Sequence, residues 1–114
     1  MKSFNRSAIS VFGTDEFLMW VKEVRPELHQ WNLDSLNYHP NVYMVEIEDQ
    51  NCWGDCFDKY YEEIFNNEVG EYVDPGEKWP KNNLKLFRLW FTFEYHESVF
   101  DLCNENLKVF NEGE

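Results

Sequence analysis

A chain of 114 residues is one domain, long enough to bury a core without disulfides or a structural metal. Hydrophobic residues make up 43% and aromatic residues 18%, which excludes a disordered chain despite a formal net charge of -12. That charge repels nucleic acid and anionic membrane and attracts basic surfaces, and so argues against direct phosphate binding, which rests on Lys and Arg.

In chain order, residues 7–12 (SAISVF) read as a short strand closed by Gly13. Thr14 is a good N-cap, and Asp15 and Glu16 follow in the first turn, where the helix dipole favours negative charge. Phe17, Trp20, Val21, Val24 and Leu28 recur at helical spacing, and Pro26 ends the regular helix near Arg25. Residues 28–39 carry no clear period and read as a loop or a short helical turn; His29 and His39 fall here beside aromatic residues and receive no role. Residues 41–48 (NVYMVEIE) form the clearest strand, with Tyr43, Val45 and Ile47 on one face and Val42, Met44, Glu46 and Glu48 on the other.

Residues 46–77 hold eleven carboxylates and a single base, Lys59. From 53 to 73 the large apolar groups fall at Trp53, Cys56, Phe57, Tyr60, Tyr61, Ile64, Phe65, Val69, Tyr72 and Val73, alternating three and four apart. That is the helical period, and it predicts one long amphipathic helix with a ring-rich face. The opposite stripe reads Asp55, Asp58, Lys59, Glu62, Glu63, Asn66, Asn67, Glu71 and Asp74. Asp74-Pro75-Gly76 is a turn signal that ends it.

Pro80 then opens a short helix through Leu84, Phe87 and Trp90. Phe91, Phe93 and Tyr95 alternate with Thr92, Glu94 and His96, the pattern of a half-buried strand. The phase slips near Glu97 and Ser98, so that Phe100 and Leu102 become the apolar set, and a bulge would account for it. Residues 107–110 add an edge strand after a turn-like Asn104-Glu105-Asn106. The expected order is β-α-β-α-α-β-(β), an α+β two-layer domain spanning 1–114, in which the first β-α-β unit makes a right-handed parallel crossover and the helices cover one face of a mixed sheet.

Trp79-Pro80-Lys81, Phe87-Arg88-Leu89-Trp90-Phe91, Glu94, His96 and Asp101-Leu102, taken with the aromatic–acidic helix, resemble a pattern in small acidic bacterial proteins of unassigned function. The resemblance covers roughly the last third of the chain plus that helix. It implies a bacterial cytoplasmic protein and carries over no catalytic residue.

Three cysteines, Cys52, Cys56 and Cys103, an odd count, and a charged, polar start predict a reducing cytoplasm with all three thiols reduced and free of metal. Cys52 and Cys56 lie four apart, which is no C-x-x-C redox pair, and nearby sequence offers no further zinc ligands. No stretch reaches the roughly 18 apolar residues of a membrane span. Nothing calls for a cofactor: no G-x-S-x-G elbow and no Gly-rich phosphate loop occurs.

Three functional readings follow. In the leading one, Asp55, Asp58, Glu62, Glu63, Glu71 and Asp74 form a non-enzymatic surface that docks a basic protein, such as a nucleic-acid-binding protein or a nuclease, as an inhibitor or a mimic of phosphates. Trp53 or Tyr72 would anchor it. The plain alternative is a solvated helix face, yet such faces usually mix signs and here only Lys59 pairs locally. Lys78, Lys81, Lys85 and Arg88, four of the ten bases within eleven residues, would neutralise the acidic helix across the turn. In the second reading Glu46, Glu48, Glu94 and His96 converge on the sheet as a metal or acid/base site of a small enzyme, if their strands are neighbours. In the third the aromatic surplus is a homodimer face.

Overall fold

The computed structural model describes residues 2–3, 6–46, 53–74 and 79–110, with 2–3 and 53–57 as backbone only. Its elements are β1 (Lys2–Ser3), β2 (Ser7–Gly13), α1 (Asp15–Val24), a 3-10 turn (Pro26–Leu28), α2 (Leu33–Leu36), β3 (Asn41–Val45), α3 (Trp53–Gly70), α4 (Leu84–Trp90), β4 (Phe91–His96) and β5 (Phe100–Asp101). The α+β class and the element order are as expected.

The main sheet has the order β3-β2-β4. Its two ladders are antiparallel, Ser7↔Val45 to Val11↔Asn41 on one side of β2 and Ala8↔His96 to Gly13↔Phe91 on the other. The expected parallel crossover is therefore not formed, and the sheet is not mixed. The reason lies between residues 25 and 40. The extra turns after α1 carry the chain back to the end of β2, where the Asn37 side chain accepts from the Gly13 N–H (2.8 Å) and donates to the Gly13 carbonyl (3.0 Å). A strand that starts beside the end of its neighbour runs antiparallel to it. Asn32 opens α2 with a capping box closed by Ser35, which makes this return reproducible.

Gly13 is required there by space. A Cβ on it would lie 2.5 Å from Leu36 Cδ2 and 2.8 Å from Phe17 Cδ2. Thr14 begins α1 but does not cap it with its side chain. Its hydroxyl instead donates to the carbonyls of Leu89 and Trp90 (2.8 and 3.0 Å), and its N–H to Trp90 (2.9 Å), so the start of α1 is tied to the end of α4.

One face of the sheet carries the helices. Ile9, Val11, Val45 and Phe91 meet Phe17 and Val21 of α1, Ile64, Phe65 and Val69 of α3, and Phe87 and Trp90 of α4. Rings dominate the contact: Phe65 stacks on Trp90 (centroids 5.8 Å, 9°), and Phe17 lies 4.7 Å from Phe91 and 5.2 Å from Trp90. Ile64 and Phe65 are buried as the period predicts, Tyr60 and Tyr43 are half-buried, and the side chains of Trp53, Asp55, Cys56 and Phe57, like Ile47, Glu48, Cys52 and Lys78, lie outside the described residues. The other face is open: Val42 and Met44 are 60% and 50% exposed. Ala8 and Ser10 on that face are buried because small side chains on the middle strand sit between larger ones on both neighbours.

Several boundaries differ from the periodic reading. α3 ends at Gly70 rather than Val73, and the N–H groups of Tyr72 and Val73 both turn back onto the Val69 carbonyl. α4 starts after Asn83, whose side chain accepts from Leu86 N–H (2.8 Å), not at Pro80. The phase slip after His96 is not a bulge: the strand ends, and Phe100–Asp101 pairs with Lys2–Ser3 in a separate two-stranded ribbon. Residues 106–110 form no edge strand, and Leu107, Val109 and Phe110 are exposed. Among the described residues no helix is long and apolar enough to cross a membrane.

Truncating Phe65 to Ala should cost about 3 to 5 kcal/mol in urea denaturation, because a fully buried ring in this cluster leaves a cavity. Gly13→Ala should cost about 1 to 3 kcal/mol by overpacking against Phe17 and Leu36. Denaturation midpoints within error of wild type for both would contradict this packing.

Candidate functional site

The acidic face of α3 follows directly from the helical period. Residues that alternate with the buried Ile64, Phe65 and Val69 must point outward, and Asp58, Glu62, Glu63, Glu71 and Asp74 are all exposed. The side chain of Asp55 lies outside the described residues. Lys59 sits over the Tyr60 ring, 5.1 Å from its centroid. The described ion pairs, Arg6–Glu46 (2.9 Å) and Arg25–Glu27, involve none of these carboxylates. The expected neutralisation by the basic run is absent for its described members: Lys81, Lys85 and Arg88 are exposed and form no ion pair with a described carboxylate. What joins α3 to the approach of α4 is uncharged, Asn82 donating to the Asn66 side chain (3.0 Å). Tyr72 is not an exposed anchor; it is half-buried, packed edge-on against Phe17 (5.8 Å) and Trp31 (6.2 Å).

The described members of the sheet constellation, Glu46, Glu94 and His96, do not converge, and Glu48 lies outside the described residues. Glu46, Glu94 and His96 belong to one face, as expected, but β2 runs between β3 and β4, so their strands lie about 10 Å apart at about 4.8 Å per strand. Glu46 is held by Arg6, and His96 Nε2 is hydrogen-bonded to Ser10 Oγ (2.9 Å). Among the described residues no group of three His, Cys, Asp or Glu side chains is placed to hold a metal. Cys103 is a free, exposed thiol.

The structure brings forward a carboxylate that the acidic stripe does not contain. Glu68 follows Ile64 by four residues and Phe65 by three, which puts it on the apolar face, and it is only 8% exposed. Its Oε2 accepts hydrogen bonds from the Tyr43 hydroxyl and from Asn41 Nδ2 (2.6 Å). Asn41 Nδ2 also donates to Glu71 Oε1 (2.6 Å), and Asn67 Nδ2 to the Tyr43 oxygen (2.8 Å). These groups clamp the last turns of α3 to the start of β3. The signal was present in the sequence: a Glu standing where the period calls for an apolar residue.

Burial drives the electrostatics. It raises the Glu68 carboxyl above the ordinary 4.5, the hydrogen bonds from Tyr43 and Asn41 oppose that, and the Glu71 charge adds to it. Burial, then the Glu68 charge, raises the Tyr43 hydroxyl. Tyr72 is pushed up to about 12 by burial and by the charges of Glu71 and Glu68. A carboxyl raised in the folded state binds its proton more tightly there than in the unfolded chain. Stability from this group is therefore fully present below the ordinary carboxylate pKa and is lost as pH rises through the raised value.

Replacing Glu68 by Gln should accordingly stabilise the protein at neutral pH, with the advantage fading as pH falls towards 4.5 in chemical denaturation. Tyr43→Phe, which removes a donor to the buried carboxylate, should cost about 1 to 3 kcal/mol. A Gln variant that loses stability at pH 7 and regains it in acid would reverse the assigned sign.

Comparison with protein-family models, with curated proteins and with solved structures finds no match to this chain.

Proposed function

We propose that the protein is a non-enzymatic binding module whose acidic α3 face docks a basic protein surface. The observation that supports this most is the set of exposed carboxylates Asp58, Glu62, Glu63, Glu71 and Asp74 along and just beyond one helix, with no ion pair to a described base. A face meant only for solvation gains by mixing signs, since like charges three and four apart repel. A face on which carboxylates far outnumber the one base, Lys59, instead steers an oppositely charged partner and accelerates its encounter by about 10- to 10³-fold. An intracellular nucleic-acid-binding protein or nuclease is the partner class that presents such a basic surface, and occupying it would inhibit that partner by mimicking phosphates.

The test is capture on immobilised protein, wild type against an Asp58→Lys, Glu62→Lys, Glu63→Lys variant, at low and high salt, with heparin as a polyanionic competitor. The variant should associate roughly 10-fold more slowly at low salt and should lose most of the salt dependence, because charge steering is screened over about 8 Å at physiological ionic strength. Heparin should displace the wild-type complex. Substitution of Glu94 and His96 should change nothing. Equal capture by the reversed variant would reduce the stripe to a solvated face.

A further inference from the structure

We infer that residues 107–110 form an added strand on the outer edge of β4 in a second copy of this chain, two copies exchanging these segments reciprocally. Leu107, Val109 and Phe110 are 64%, 82% and 82% exposed, three large apolar side chains in one short run. The run Leu107-Lys108-Val109-Phe110 has a strand-forming composition and belongs to no element among the described residues. The main sheet ends at β4, whose ladder is to β2, and no described strand pairs with its outer edge. A strand without a ladder and an edge without a strand are the two halves of strand addition. The inference goes beyond the docking reading and uses neither α3 nor its carboxylates.

The two halves match residue by residue. Phe93 and Tyr95 lie half-buried on the face that packs against the helices, and Glu94 is exposed on the open face between them. In the antiparallel register that sets Lys108 opposite Glu94, Leu107 lies opposite Tyr95 and Val109 opposite Phe93, on the apolar side. Lys108 and Glu94 then meet on the open face as a cross-strand pair of opposite charges, and neither belongs to a described ion pair. A slip of one residue would turn Leu107 and Val109 to the open face, and a slip of two would part the charges. β3, the other edge of the sheet, fits less well: Val42 and Met44 offer Lys108 no carboxylate, and Glu46 is held by Arg6. The root of the segment directs it to a second copy. Phe100–Asp101 pairs with Lys2–Ser3, a ribbon that carries the chain past the end of β4, and in the single chain residues 107–110 stay exposed. The net charge of -12 opposes two copies at long range, but it is screened over about 8 Å at physiological salt.

The experiment is sedimentation equilibrium of the full chain from about 1 to 200 μM at physiological salt, paired with amide-resonance spectra over the same dilution. Reductant keeps the exposed thiol of Cys103 from cross-linking copies. The wild type should pass from monomer to dimer, and the amides of residues 92–95 and 107–110 should shift together as it does. Val109 is exposed in the single chain, so Val109→Asp keeps the fold, and it should weaken the dimer at least about tenfold. Lys108→Glu and Glu94→Lys should each weaken it about three- to fivefold, and the two combined should restore it to within about twofold of wild type. A monomer at every concentration, or a dimer that Val109→Asp leaves intact, would overturn the inference. Single charge changes that weaken the dimer without mutual rescue would overturn the register. Shifts of residues 107–110 that persist unchanged on dilution would place the segment on its own β4 and overturn the second copy. A mass that climbs past the dimer would overturn the reciprocal exchange.

Discussion

The packing of the α3 rings onto a sheet covered on one side only is the constraint from which the other features follow. Phe65 lies parallel to Trp90 of α4 and edge-on to Phe91 of β4, and both of those contact Phe17 of α1. One cluster thus joins every major helix to the sheet. Each fully buried large side chain contributes about 1.5–3 kcal/mol, and each favourable ring pair a further 0.5–1.5 kcal/mol or so. Like-charge neighbours on the opposite side of α3, such as Asp58 and Glu62, cost only a few tenths of a kcal/mol per pair. The core therefore fixes α3 with a large margin over its self-repulsion. The outer face carries its like charges at little cost to the fold.

The same packing explains why Glu68 stands apart from its acidic neighbours. Exposed carboxylates are solvated, and their repulsion is screened within about 8 Å at physiological salt. Glu68 is held on the inner side of the helix by the register of Ile64 and Phe65, so water is replaced by Tyr43 and Asn41. A neutral pair of donors hydrogen-bonds one oxygen of this carboxylate without balancing its charge. That imbalance sits at the end of the acidic stripe, beside residues 37–41.

What could be read from the sequence was whatever depends on local period. The stripe from Tyr60 to Val69, the alternation from Phe91 to Tyr95 and the punctuation by Gly13 and Pro26 are short-range signals, and each places its element correctly. Strand direction was not legible, because it depends on where the chain is after α1, and that is set by Asn37 reaching Gly13 across 24 residues. The convergence of Glu46 with His96 failed for a related reason: alternation assigns both to one face but says nothing about the strand inserted between them. Residues 107–110 have the alternation of a strand, but no described strand pairs with them, and Phe100–Asp101 pairs instead with Lys2–Ser3. Glu68 was legible in principle. It breaks the apolar stripe, and a polar residue at such a position has to find partners on the element it faces.

The central proposal is that the outer face of α3 and the residues just beyond it, 58–74, are where this protein's negative field is concentrated for a partner to use. Solvent paramagnetic relaxation measures that field without any partner, by comparing the effects of a cationic and an anionic nitroxide of equal size on each amide. The account predicts the largest excess of the cationic probe along residues 58–74 and at residues 37–41, diminishing as salt is added. An excess spread evenly over the surface, or strongest on the acidic segment 97–105 beyond β4, would contradict it.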